Sequence, residues 1–167
     1  MGKFELQSPI AVANFIIEVA NEKENPVTNL KLQKVLFFLQ GYCLAEYNSP
    51  LIDGDFSKWK FGPVEEDIYR EFKYYGPTPI TSKSVYFDEE KIEFCSEKIQ
   101  LSNNFKEELQ KIISKIISYE AWRLVDLTHS HSSWKNYQNE IIAQTVMKYT
   151  NTEILDCFNS CRAKLGV

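Results

Sequence analysis

The chain has 167 residues, 44% of them hydrophobic and 25% charged, with 19 Lys and Arg against 23 Asp and Glu for a net charge of -4. That length suits one domain, and the composition excludes a disordered chain, which needs low hydrophobicity and high net charge. Only 6 Gly and 6 Pro exclude collagen-like and low-complexity classes, and the acidic balance argues against a general nucleic-acid binder, which carries a basic stripe.

The chain order reads as helices with a short extended stretch between. Ser8-Pro9 is an N-cap with proline at the first helical position. It opens a helix through Ile10, Phe15, Ile16 and Val19 that ends near residues 21–24, before Pro26. Thr28 or Asn29 caps a second helix, with Leu32, Val35, Leu36, Leu39, Tyr42 and Cys43 at helical spacing. Lys31, Lys34 and Gln40 are expected mostly on its other faces, and Asn48-Ser49-Pro50 stops it.

From Phe56 to Phe61, aromatic and polar residues alternate with period two, which predicts a short strand. Trp59 and Phe61 are expected on the packed face, Lys58 and Lys60 on the solvated one. Gly62-Pro63 is expected to break the strand and open a third helix, with acids in its first turn and Arg70 and Lys73 near its end. Gly76-Pro77 ends it. Ser84–Phe87 and Ile92–Phe94 predict a small ribbon, which has to pack on the helices to be stable. Ser102 caps a fourth helix with Phe105, Leu109, Ile113 and Ile116 on one face. A short helix follows to Thr128, then a polar break at His129–Ser133, then a last helix from about Asn151. The expected fold is therefore mainly α: a single-domain helical bundle over residues 1–167, with a short strand or small ribbon between helices 2 and 4.

Chemical motifs are sparse. His129 and His131 with Cys157 and Cys161 draw a four-ligand set, but their spacing matches no common zinc knuckle. There is no phosphate-cradling glycine motif and no nucleophile elbow. Neither a catalytic residue, a metal nor a cofactor is expected. An enzymatic alternative, a small hydrolase or transferase using His129 with a cysteine or serine, stays open. No run of about 18 apolar residues exists, so no membrane span is expected. The Met1–Gln7 stretch has neither an apolar signal core nor an acylation pattern. The expectation is a cytoplasmic chain whose four cysteines (Cys43, Cys95, Cys157, Cys161) are reduced.

Three phrases carry a resemblance. They are Leu30-Lys31-Leu32-Gln33-Lys34-Val35-Leu36-Phe37-Phe38-Leu39-Gln40-Gly41-Tyr42; Trp59-Lys60-Phe61-Gly62-Pro63-Val64 running into Ile68–Gly76; and Leu124-Val125-Asp126-Leu127-Thr128-His129 followed by Trp134. Together, over about residues 10–135, they resemble the Panacea antitoxin domain family, described as SocA-like and as phage-associated GepA-like proteins. Residues 140–167 read as a C-terminal helical extension. The resemblance implies the antitoxin of a toxin–antitoxin pair, with a cognate protein toxin as partner. Neutralisation is implied either by direct binding or by delivery of the toxin to a cytosolic protease. The chain departs from the family in one place: His131-Ser132-Ser133 stands where an acidic residue and a proline are common. Lys31, Lys34, Trp59, Tyr69, Tyr75, His129 and Trp134 are the expected partner contacts, and Phe61, Gly62 and Pro63 the structural motif.

Overall fold

The computed structural model describes residues 4–145 and 147–167. The leader and acylation reading of Met1–Lys3 lies outside these residues. Its helices start where short polar side chains can satisfy the free N–H groups of a first turn. Ser8 accepts from Ala11 N and starts α1 (Pro9–Glu22). Thr28 accepts from Lys31 N and starts α2 (Asn29–Tyr47), which ends at Asn48 in the left-handed region (φ 50°).

The extended stretch is a tight antiparallel hairpin, β1 (Ser57–Trp59) and β2 (Gly62–Val64), with Trp59 paired to Gly62. Gly62-Pro63 therefore does not open the third helix but belongs to the returning strand. The helix α3 (Glu66–Phe72) starts at Glu65, whose carboxylate accepts from Ile68 N at 2.8 Å. A 3-10 turn (Lys73–Tyr75) ends at Gly76. The second ribbon, β3 (Tyr86–Asp88) and β4 (Glu93–Cys95), is present as expected. Then follow α4 (Asn103–Ile117), α5 (Ala121–His129), the single turns α6 (Ser132–Lys135) and α7 (Gln138–Ile142), and α8 (Asn151–Leu165), which a Thr150–Glu153 capping box starts. The fold is mainly α, with both small ribbons between α2 and α4.

The axis of the fold is α2. It packs on α1, α3, α4, α5, α8 and β2 at once, and thirteen consecutive residues, Leu32–Leu44, are buried. A helix covered all round buries its polar face too. Lys34 and Gln40, expected mostly on the other faces of the helix, are with Gln33 among the most buried polar residues of the chain. Each must then find a hydrogen-bond partner inside, because an unpaired buried polar group costs about 1–3 kcal/mol. They find them on the segment 51–65. Gln40 Oε1 accepts from both Leu51 N (2.9 Å) and Ile52 N (2.8 Å), and its Nε2 donates to Ile52 O. Gln33 Oε1 accepts from Glu65 N at 2.8 Å.

The C-terminal extension closes on the same hairpin. Lys58 N donates to Met147 O (2.7 Å) and Tyr149 N to Phe56 O (2.8 Å), so residues 147–149 run antiparallel along β1. This cover buries Lys58, which alternation had placed on a solvated face. Its ammonium pairs with Glu153 at 2.7 Å and sits 3.5 Å from the ring centroid of Tyr137. Phe61 is the reverse case: it lies in the hairpin turn and is 43% exposed.

The contact between α2 and α8 is close because Gly41 has no Cβ. A Cβ there would stand 2.5 Å from Phe158 Cβ. Gly41→Ala is expected to destabilise the fold by about 1–3 kcal/mol through overpacking, despite the better helix propensity of alanine. Urea unfolding followed by circular dichroism measures this.

Candidate functional site

The three phrases singled out in the sequence converge in space on one glycine. Gly62 has φ 98°, a left-handed conformation that side chains other than glycine rarely adopt. A Cβ at this position would stand 2.6 Å from Thr128 Oγ1 and 2.9 Å from Lys34 Cε. The β1–β2 hairpin is thus pressed between α2 and α5. The next residue is the anchor: the fully buried Lys34 donates from Nζ to Pro63 O at 3.1 Å. That carbonyl cannot neutralise a charge, so burial pushes the Lys34 amine down to about 7. Lys34, expected as a contact for a partner, is therefore an internal support of the hairpin.

The far side of the hairpin is held by α5 and α6. Trp134 Nε1 donates to Trp59 O at 2.8 Å. The His129 ring lies parallel to the Trp134 ring, with centroids 3.7 Å apart. Burial holds His129 below its ordinary value and favours the neutral imidazole, with a hydrogen bond to the Lys60 backbone working the other way and a smaller push down from Lys34. Trp59 meets Tyr69 of α3 edge to face at 5.0 Å. Trp59, Tyr69, His129 and Trp134 are all half-buried around this hairpin. Lys31 is half-buried as well; burial lowers its amine and Glu120 partly offsets this. Tyr75 sits apart, on the 3-10 turn, bonded to Ser82 Oγ at 3.0 Å.

One exposed feature was missed in the sequence. Phe61 and Trp122 meet edge to face at 5.3 Å across the hairpin tip and the start of α5, with Trp122 58% exposed. Sequence alone could not pair a turn residue with one 61 positions away.

Nucleophilic chemistry finds no assembled centre around His129. Its Nε2 is buried without a hydrogen-bond partner. The serine–histidine contact that does form is His131 Nδ1 with Ser133 Oγ at 2.7 Å. There the ring also accepts from Ser133 N and caps α6, and Ser133 is buried. Burial pushes the Cys43 thiol well above its ordinary value, away from the reactive thiolate. Cys157 and Cys161 lie in the core, with Cys161 donating to Leu127 O. Among the described residues no three His, Cys, Asp or Glu side chains gather as metal ligands. No described helix is long and apolar enough to cross a membrane.

Residues 32–135 match the family of SocA-like antitoxins with a Panacea domain, and the chain belongs to that family. It is 41% identical over 78 residues to antitoxin SocA of Caulobacter vibrioides (strain NA1000 / CB15N). That alignment covers 47% of this chain and 42% of the relative, so the chain spans less than half the length of the curated relative it matches. No solved structure matches.

The buried amine sets a pH dependence. Between the folded value near 7 and the ordinary value near 10.5, the unfolded chain binds a proton at Lys34 that the folded chain does not. Stability from this group must then rise with pH through that window, by at most about 1.4 kcal/mol per pH unit. Below pH 7 both states are protonated and the full burial cost remains. Comparing urea unfolding of the wild type and Lys34→Met from pH 7 to 10 isolates this slope; the variant is expected to lack it.

Proposed function

We propose that this protein is the antitoxin of a toxin–antitoxin pair and silences a cognate protein toxin by binding it directly. Membership of the SocA-like family supports the antitoxin role. The observation that carries direct binding is the Phe61–Trp122 pair: two exposed aromatic rings on a hairpin fixed from below by Lys34 and from the side by Trp134. Large aromatic groups on a rigid base are the usual anchors of protein interfaces, because they give contact area with little loss of conformational freedom. Lys31, Tyr69 and Tyr75 keep accessible surface and are proposed as further contacts. Trp59, His129 and Trp134 are proposed to act by holding the hairpin in place. The role is non-catalytic in this reading.

The test is co-expression with the neighbouring gene whose product is toxic alone. Growth is expected to be restored, with a stable stoichiometric complex and an unchanged level of toxin. If growth is restored while toxin disappears in a protease-dependent way, the chain is a degradation adaptor instead. Phe61→Ser with Trp122→Ser is expected to weaken the complex about tenfold or more, read by calorimetry on the purified proteins.

A further inference from the structure

The β3–β4 ribbon is built as no core element is. It is fastened at its base, where buried Asn14 of α1 accepts from Ser84 N (2.8 Å) and donates to Ser84 O and Glu97 O, and where Ser84 Oγ donates to Glu71 and Ser8 Oγ to Glu97. Beyond that clamp its apolar side chains are largely exposed. Phe87 and Phe94 face each other across the strands, with ring centroids 5.3 Å apart, and Phe94 is 72% exposed. Val85 and Ile92, each two residues before one of these rings, extend the patch. Ile92 is 78% exposed and holds φ 54°. A β-branched residue is strained there, so neither burial nor backbone preference accounts for an isoleucine at this turn.

Charge says what fits this surface. Residues 88–97 contain five carboxylates and one lysine, a net charge of -4, which equals the net charge of the entire chain. The rest of the protein is balanced. Along one side of the ribbon runs a groove of about 740 Å³, lined by Tyr86 and Phe94 and by three carboxylates, Glu5, Glu93 and Glu97, against two lysines, Lys91 and Lys98. Nucleic acid and anionic membrane would be repelled by this field, and a second copy would set like charges against each other.

We propose that this ribbon is a docking surface for the toxin, and that the toxin meets it with a basic segment that also carries apolar side chains. This rests on the antitoxin reading above. The acidic rim speeds and orients the encounter, and the exposed rings with Ile92 give the contact area.

The experiment uses the full chain and the purified product of the neighbouring toxic gene, with binding followed by surface plasmon resonance at several salt concentrations. Ile92→Ser with Phe94→Ser is expected to weaken the complex about tenfold or more. Glu89→Lys with Glu90→Lys is expected to slow association about tenfold and to flatten its salt dependence. Ile142→Ser, an equally exposed isoleucine on α7, is expected to leave both unchanged. All the altered side chains are exposed, and circular dichroism confirms each fold. Wild-type affinity and salt dependence in both ribbon pairs would overturn the docking surface while leaving the antitoxin reading intact. A toxin that does not bind the wild-type chain would overturn both. Concentration-dependent dimerisation of the free chain that Phe94→Ser abolishes would assign the ribbon to a second copy and overturn the proposal.

Discussion

Burial of α2 on every side is the constraint from which the rest of the structure follows. A helix of 19 residues that packs on five others and a hairpin has no solvated face for most of its length. Its polar residues cannot reach water, so they are paired with backbone groups of the segment that follows. Gln40 holds Leu51 and Ile52, Lys34 holds Pro63 and Gln33 holds Glu65. Three side chains on one helix thus fix, in order, the loop, the returning strand and the start of α3. The hairpin has only three residues per strand and would be marginal alone. Its rigidity is borrowed from α2 below, from Trp134 beside it, and from residues 147–149 along its edge.

This explains what the family phrases encode. The Leu-Lys-Leu-Gln-Lys run, the Trp-Lys-Phe-Gly-Pro run and the Thr-His with a later Trp are separate in sequence and meet at Gly62. Most of these residues shape and support the hairpin. The surface proposed for a partner is Phe61, Trp122 and the acidic, aromatic β3–β4 ribbon, with Lys31, Tyr69 and Tyr75 as further contacts; Trp122 and the ribbon lie outside the phrases.

The helices were legible because their signals are local. Ser8, Thr28 and Ser102 act within three residues of themselves, and the single apolar stripe of α4 follows from spacing alone. The second ribbon was legible too, from two short apolar runs around an acidic turn. The polar side of α2 was misplaced because periodicity treats any lysine or glutamine as solvent-facing, and only the tertiary cover reverses that. Lys58 and Phe61 were inverted for related reasons. A chain segment some 90 residues later covers Lys58, and a turn at Lys60-Phe61 interrupts the alternation. Gly62-Pro63 was read as a helix start because proline favours that position, yet a short edge strand also accepts proline. Of the candidate contacts, only Lys34 is placed wholly inside.

Hydrogen exchange of single amides gives the most direct test of the idea that α2 holds the hairpin through its polar side chains. The amides of Leu51, Ile52 and Glu65 are bonded to glutamine side chains rather than to regular secondary structure. In the wild type they are expected to exchange only with global unfolding, like the amides of α2 itself. In Gln33→Leu, Glu65 and the hairpin amides are expected to lose protection while α4 keeps it. Unchanged protection at Glu65 in that variant, or rapid exchange of all three amides in the wild type, would contradict the account.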